Sequence, residues 1–138
     1  MDLVTIVLRL FIALVCGTAI GLEREIRDKA AGLRTHILVC LGAALFGMLG
    51  MTLAAKNSNT DILRLVQGLL IGVGFLGGGV IFREGSTVKG LTTAAGIWVM
   101  GAIGMAVGVG SYQIALVGTI FTLITLAIFG MFERVLKK

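Results

Sequence analysis

Residues 91–132 read LTTAAGIWVMGAIGMAVGVGSYQIALVGTIFTLITLAIFGMF, without one charged side chain. As a single helix this run would extend about 60 Å, twice the ~30 Å hydrocarbon thickness of a bilayer. It must therefore fold back on itself. The break is expected at Gly108-Val109-Gly110-Ser111-Tyr112-Gln113, where glycines, a serine and a glutamine cluster and Tyr112 suits the membrane interface. That gives two membrane-crossing helices, over 91–109 and 113–132.

The same reading extends upstream. Residues 3–22 are apolar except for Arg9, residues 37–55 carry no charge, and residues 63–82 are charged only at Arg64; Lys56-Asn57-Ser58-Asn59-Thr60-Asp61 is a polar turn between the second and third runs. Five spans result. All must be helical, because so few residues cannot close a barrel and unpaired strand edges are not tolerated in lipid. Composition agrees: 57% of the 138 residues are hydrophobic and 14% charged, against about 25% charged in an average soluble domain. A soluble enzyme is excluded on that ground. The expected fold is one all-α integral membrane domain over residues 1–138, with the lipid bilayer as its first partner. A cleaved signal peptide needs a basic region before its apolar run; only Asp2 precedes this one, so the first span is expected to remain in the mature protein.

Orientation follows from the basic residues. With the N-terminus outside, the inner side holds Arg24, Arg27, Lys29, Arg34, Arg83, Lys89, Arg134, Lys137 and Lys138, whereas the outer side holds Lys56, Arg9 and Arg64. This bias predicts an N-out, C-in multi-pass protein of a bacterial inner membrane. The net charge of +5 does not indicate nucleic acid, since the basic residues form no patch and there is one Tyr and one Trp. Cys16 and Cys40 lie in apolar runs without paired Cys/His spacing, so they read as small packing residues and no metal site is expected.

The polar residues that orientation does not account for gather at the inner face. Glu23 and Arg24 end the first span, Arg34 and Thr35 open the second, Arg83 and Glu84 follow the third, and Thr92 and Thr93 open the fourth. Glu23 and Arg27 form an i,i+4 pair if the first helix continues, and crossed pairs between loops, Glu23 with Arg83 or Arg34 with Glu84, are expected in a partly dry interface. Thr92 and Thr93 either bond back to a carbonyl one turn earlier or face the charged loops. His36 reads as a satisfied interfacial histidine. Arg9 either reaches outward or pairs with Asp2 or Asp61.

Gly68, Gly72, Gly74, Gly77, Gly78 and Gly79 crowd the third span, with Gly68/Gly72 and Gly74/Gly78 at small-xxx-small spacing. The expectation is a central helix that approaches its neighbours closely. The alternative is local unwinding over 75–79 to line a path. No nucleophile and base are spaced for catalysis, and all seven acidic residues lie at or beyond span ends, where they cannot serve a mid-membrane proton or cation relay.

Several of these stretches resemble the MgtC/SapB family of bacterial inner-membrane proteins: Gly21-Leu22-Glu23-Arg24; Ala31-Gly32-Leu33-Arg34-Thr35; Gly72-Val73-Gly74-Phe75-Leu76-Gly77-Gly78-Gly79-Val80-Ile81 with Arg83-Glu84-Gly85; and Gly90-Leu91-Thr92-Thr93-Ala94-Ala95. The family pattern has Asn at the position of Thr92 and usually Ala at that of Gly78. The resemblance covers the membrane part alone; family members with a soluble ACT-like domain carry it after this region. It implies a five-helix membrane domain and a role in adaptation to low magnesium, acid or intracellular life. The best-described members are virulence factors that restrain the F-type ATP synthase. Two functions are therefore expected in order: a non-enzymatic regulator that touches another membrane protein, such as an ATP synthase membrane subunit, and a small channel or transporter for magnesium or a related ion. A homo-oligomer is expected, with a dimer favoured and no cofactor.

Overall fold

The computed structural model describes residues 1–56 and 61–130. It contains α1 (Leu3–Ile26), α2 (Leu33–Lys56), α3 (Ile62–Gly78), a hairpin of β1 (Phe82–Glu84) and β2 (Thr87–Lys89), α4 (Leu91–Val109) and α5 (Tyr112–Ile124). The last helix widens into a π-helical turn over Thr125–Phe129. Four helices are long and apolar enough to cross a membrane, counting α5 with its π turn. With 17 residues, α3 reaches about 26 Å and sits at the lower limit for a span.

Helix ends follow local chemistry. Asp61 accepts a hydrogen bond from the Leu63 N–H at 3.0 Å and so caps α3. The loop between α1 and α2 is closed by Glu25, whose Oε2 accepts from the Leu33 N–H at 2.8 Å and satisfies a first-turn donor of α2. Gly110, at φ +89°, ends α4, and α5 begins two residues later. Beyond Gly78 the chain does not continue as a helix to residue 82: Phe82 pairs with Lys89, Arg83 with Val88 and Glu84 with Thr87 across an antiparallel hairpin. Three consecutive glycines weaken the helix there, and the hairpin ladder supplies the backbone hydrogen bonds instead. The glycine-rich segment stays helical through Gly78, so the unwound alternative does not occur.

The central helix is α4. It packs most extensively on α2 and also touches α3, α5 and α1. It is apolar on every face and rich in Gly and Ala, which lets neighbours approach on all sides. A side chain at Gly104 or Gly108 would strike the α2 backbone at Cys40 or Ala44. On the other side of α2, a Cβ at Gly17 would lie 2.7 Å from the Ile37 Cα, and one at Gly21 would lie 2.9 Å from the Leu33 Cα. These two pairs, each spaced by four, join α1, α2 and α4 into one core with Ile20, Cys40, Ile97 and Met100 buried inside.

The expected central place of α3 is corrected by this packing. Only Val73 and Gly77 of α3 are buried, against Gly101 and Ala94 of α4. A Cβ at Gly68, Gly72, Gly74 or Gly78 would meet nothing within 4 Å, and at Gly79 it would meet only carbonyls of its own preceding turn. The bulky residues of α3 point outward, Phe75 being 82% exposed.

Candidate functional site

At the end of the bundle that carries the hairpin, a pocket of about 920 Å³ opens between the end of α1, the hairpin, the start of α4 and the end of α5. Each wall has a local cause. α1 runs past residue 22 to Ile26, so that Glu23, Arg24 and Arg27 are held on or next to a rigid helix. The hairpin turns at Gly85, φ +61°, and Gly90, φ +89°, delivers the chain into α4 at a point where any Cβ would collide with the Val80 carbonyl.

Arg24 is 3% exposed and Glu23 13%; Arg24 Nε donates to Glu23 Oε2 at 2.6 Å. Arg27 Nε lies 2.6 Å from the other oxygen, Glu23 Oε1, which makes the i,i+4 ion pair. Arg27 Nη2 also donates to the Ala127 carbonyl at 3.0 Å, tying the end of α1 to the π-helical turn. One carboxylate thus neutralises two guanidinium groups, and each guanidinium keeps donors to spare.

Thr92 and Thr93 line the pocket. Elsewhere, Thr52, Thr119, Thr122 and Thr125 bond back to the carbonyl four residues earlier. Thr92 and Thr93 sit in the first turn of α4, where no helical carbonyl precedes them, and both line the pocket together with Arg24, Arg27, Asp28 and Lys29.

The crossed loop pairs do not form among the described residues. Glu84 pairs with Lys89 across the hairpin, and Arg83 Nε donates to the Gly85 carbonyl at 2.9 Å, so the two residues that the crossed pairs needed are engaged within the hairpin. Glu23 is taken by its neighbours at the end of α1, which are fixed by the helix and cost less to order than a loop partner. Arg34 is exposed and Thr35 half-buried, and neither lines the pocket. Of the expected inner-face group, Arg24, Thr92 and Thr93 reach the pocket directly and Glu23 reaches it through Arg24. Sequence reasoning missed Lys29, Lys89, Phe82 and Phe129 as wall residues; the only available signal was the position of the two lysines in the loops flanking α1 and α4.

His36, in the first turn of α2, is fully buried and only half satisfied. Its Nδ1 lies 2.8 Å from the Gly32 carbonyl oxygen, while Nε2 is buried without a partner near Gly96. At the opposite end of the bundle, Arg9 pairs with neither aspartate: its Nη1 donates to the Gly108 carbonyl at 2.5 Å. A second, smaller pocket of about 310 Å³ lies there beside Arg9, Thr52 and Lys56. No group of three or more His, Cys, Asp or Glu capable of holding a metal occurs among the described residues.

A sequence model of the MgtC family matches residues 10–135. Similar curated proteins include YhiD of Escherichia coli strain K12, a proposed magnesium transporter by name. It is 41% identical over 128 residues, which cover 89% of this chain and 60% of YhiD. SrpB of Synechococcus elongatus is 41% identical over 138 residues, covering 92% of this chain and 76% of SrpB. MgtC of Salmonella typhimurium strain LT2 is 43% identical over 117 residues, covering 85% of this chain and 49% of MgtC. The chain therefore spans only part of these relatives, about half of MgtC and three fifths of YhiD. No solved structure matches.

Proposed function

This chain belongs to the MgtC family, and on that premise we propose that it is an inner-membrane regulator that acts by contact with another membrane protein. The candidate target is the membrane part of an F-type ATP synthase, and the physiological setting is adaptation to low magnesium or acid. The observation that carries this reading is the outer face of α3. Gly68, Gly72, Gly74 and Gly78 leave open space there, in a helix otherwise covered with large apolar side chains. In lipid, small residues at this spacing favour close helix association. The inner-face group around Glu23, Arg24, Arg83 and Glu84 then serves as the polar border of the contact.

Ion movement by a homo-oligomer is the second reading, favoured by the name of YhiD. It calls for several copies around a shared path, since the core of one copy is filled by apolar side chains such as Ile97 and Met100, 1% and 0% exposed. The absence of any acidic residue away from span ends weighs against it.

ATP-driven proton pumping in inverted bacterial vesicles tests the first reading, with wild type, Gly72→Leu, Glu84→Ala and no added protein at matched expression. Wild type should lower pumping without raising passive proton leak, and Gly72→Leu should relieve that restraint. Unchanged pumping with wild type would sink it. Magnesium flux into liposomes carrying the purified chain is the corresponding test of the second.

A further inference from the structure

The pocket at the hairpin end combines three features that a lipid-facing groove does not need. Arg24 is almost fully removed from solvent, yet among the described residues its side chain is engaged only through Nε, by Glu23. Its Nη1 and Nη2 donate to none of the described residues and lie beside an open pocket, where a ligand or water can supply the acceptors they lack. Next to it, α4 begins with Gly90 as its N-cap and no side-chain cap, and the first helical hydrogen bond runs from the Ala94 N–H to the Gly90 carbonyl. The N–H groups of Leu91, Thr92 and Thr93 therefore lack helical partners, at the positive end of a 19-residue helix dipole. The hydroxyls of Thr92 and Thr93 add two more donors at the same wall.

Charge selects the ligand class. Arg24, Arg27, Lys29 and Lys89 line the pocket with Asp28 as the one acidic lining residue. Glu23 and Glu84 neutralise part of this through their pairs, which leaves a single net positive charge among the described residues. A divalent cation is repelled by such a lining. A monoanionic phosphodiester is opposite to it in sign and equal in magnitude, and its oxygens accept from guanidinium and helix N-terminal donors alike. The remaining wall is apolar and exposed: Phe82, Leu91 and Phe129 are each more than half exposed.

We propose that this pocket binds a phosphate-bearing anion, held by Arg24, Lys89 and the first turn of α4, and that its source is the headgroup of an acidic phospholipid whose acyl portion runs along Phe82, Leu91 and Phe129. The assignment is independent of whether the chain restrains an ATP synthase or moves an ion.

The test uses the full chain purified in nonionic detergent, with binding read by saturable thermal stabilisation. The probes are short-chain phosphatidylglycerol, short-chain phosphatidylcholine of the same acyl length, and inorganic phosphate. Phosphatidylglycerol should stabilise saturably and phosphatidylcholine should not. Lys89→Ala, which alters an exposed side chain, and Thr93→Val should each weaken phosphatidylglycerol roughly tenfold, while Arg64→Ala at the other end leaves it unchanged. Arg24→Gln is the stronger change but affects a buried group, so the conclusion rests on the other variants. Equal effects of the two lipids, or Lys89→Ala and Thr93→Val binding like wild type, overturn the pocket assignment. Inorganic phosphate binding as tightly as phosphatidylglycerol overturns the lipid source.

Discussion

Glu23 holds two arginines at the end of its own helix, one of which is almost out of solvent. Replacing Glu23 with Gln strands the Arg24 charge, at a cost on the order of 3 kcal/mol. Thermal unfolding in detergent should show a markedly lower midpoint for Glu23→Gln. Adding Arg24→Met should recover part of the loss, because the buried charge leaves with its partner; a single variant as stable as wild type would mean that Arg24 has another counter-charge. The glycines offer a second comparison. Gly104→Ala places a methyl group against the Cys40 carbonyl and 2.8 Å from the Ala43 Cβ, whereas Gly72→Ala meets open space. We expect Gly104→Ala to lose about 1–3 kcal/mol and Gly72→Ala to lose nothing, since alanine also favours the helix. Equal losses in a monodisperse monomer would contradict the packing described above.

Arg9 acts on an element it does not belong to. By donating to the Gly108 carbonyl it places a cation at the negative end of α4, an interaction worth about 1 kcal/mol. Arg9→Met should therefore speed hydrogen exchange of the Gly110 and Ser111 amides, which bond to Val107 and Ala106, by about fivefold, with the rest of α4 unchanged. Uniform change along α4, or none, would remove the capping role. The hairpin depends on two left-handed glycines in different degrees. Gly85 has room for a side chain and bears only the backbone strain, whereas Gly90 bears the strain and a collision with Val80. Gly90→Ala should depress the yield of folded protein well below that of Gly85→Ala, as read by monodisperse recovery after purification. The reverse order would mean that the chain enters α4 by another route.

The described residues form a bundle built around α4, with a polar pocket at the hairpin end and a smaller pocket at the Arg9 end. The basic residues predict which end faces inward. In a background lacking Cys16 and Cys40, Ser86→Cys should react with an impermeant thiol reagent only in inverted vesicles, and Lys56→Cys only in intact spheroplasts. The opposite pattern would reverse the orientation. The helices are largely legible in the amino-acid sequence, because lipid imposes a one-dimensional requirement: enough consecutive apolar residues, with charges kept to the ends. The turn at Gly110 belongs to this class, as does the Glu23–Arg27 pair, which needs only a continuing helix. The partners of each helix are not legible in the same way. Gly68/Gly72 and Gly104/Gly108 have the same spacing, yet the first pair faces open space and the second is pressed against α2. Spacing states that a helix has a small face; which face meets which neighbour depends on the shapes of all five helices at once. The pocket has the same origin, since it brings Arg24 beside Thr93 and Phe129, residues far apart in the chain that only the packing of α1, α4 and α5 sets side by side.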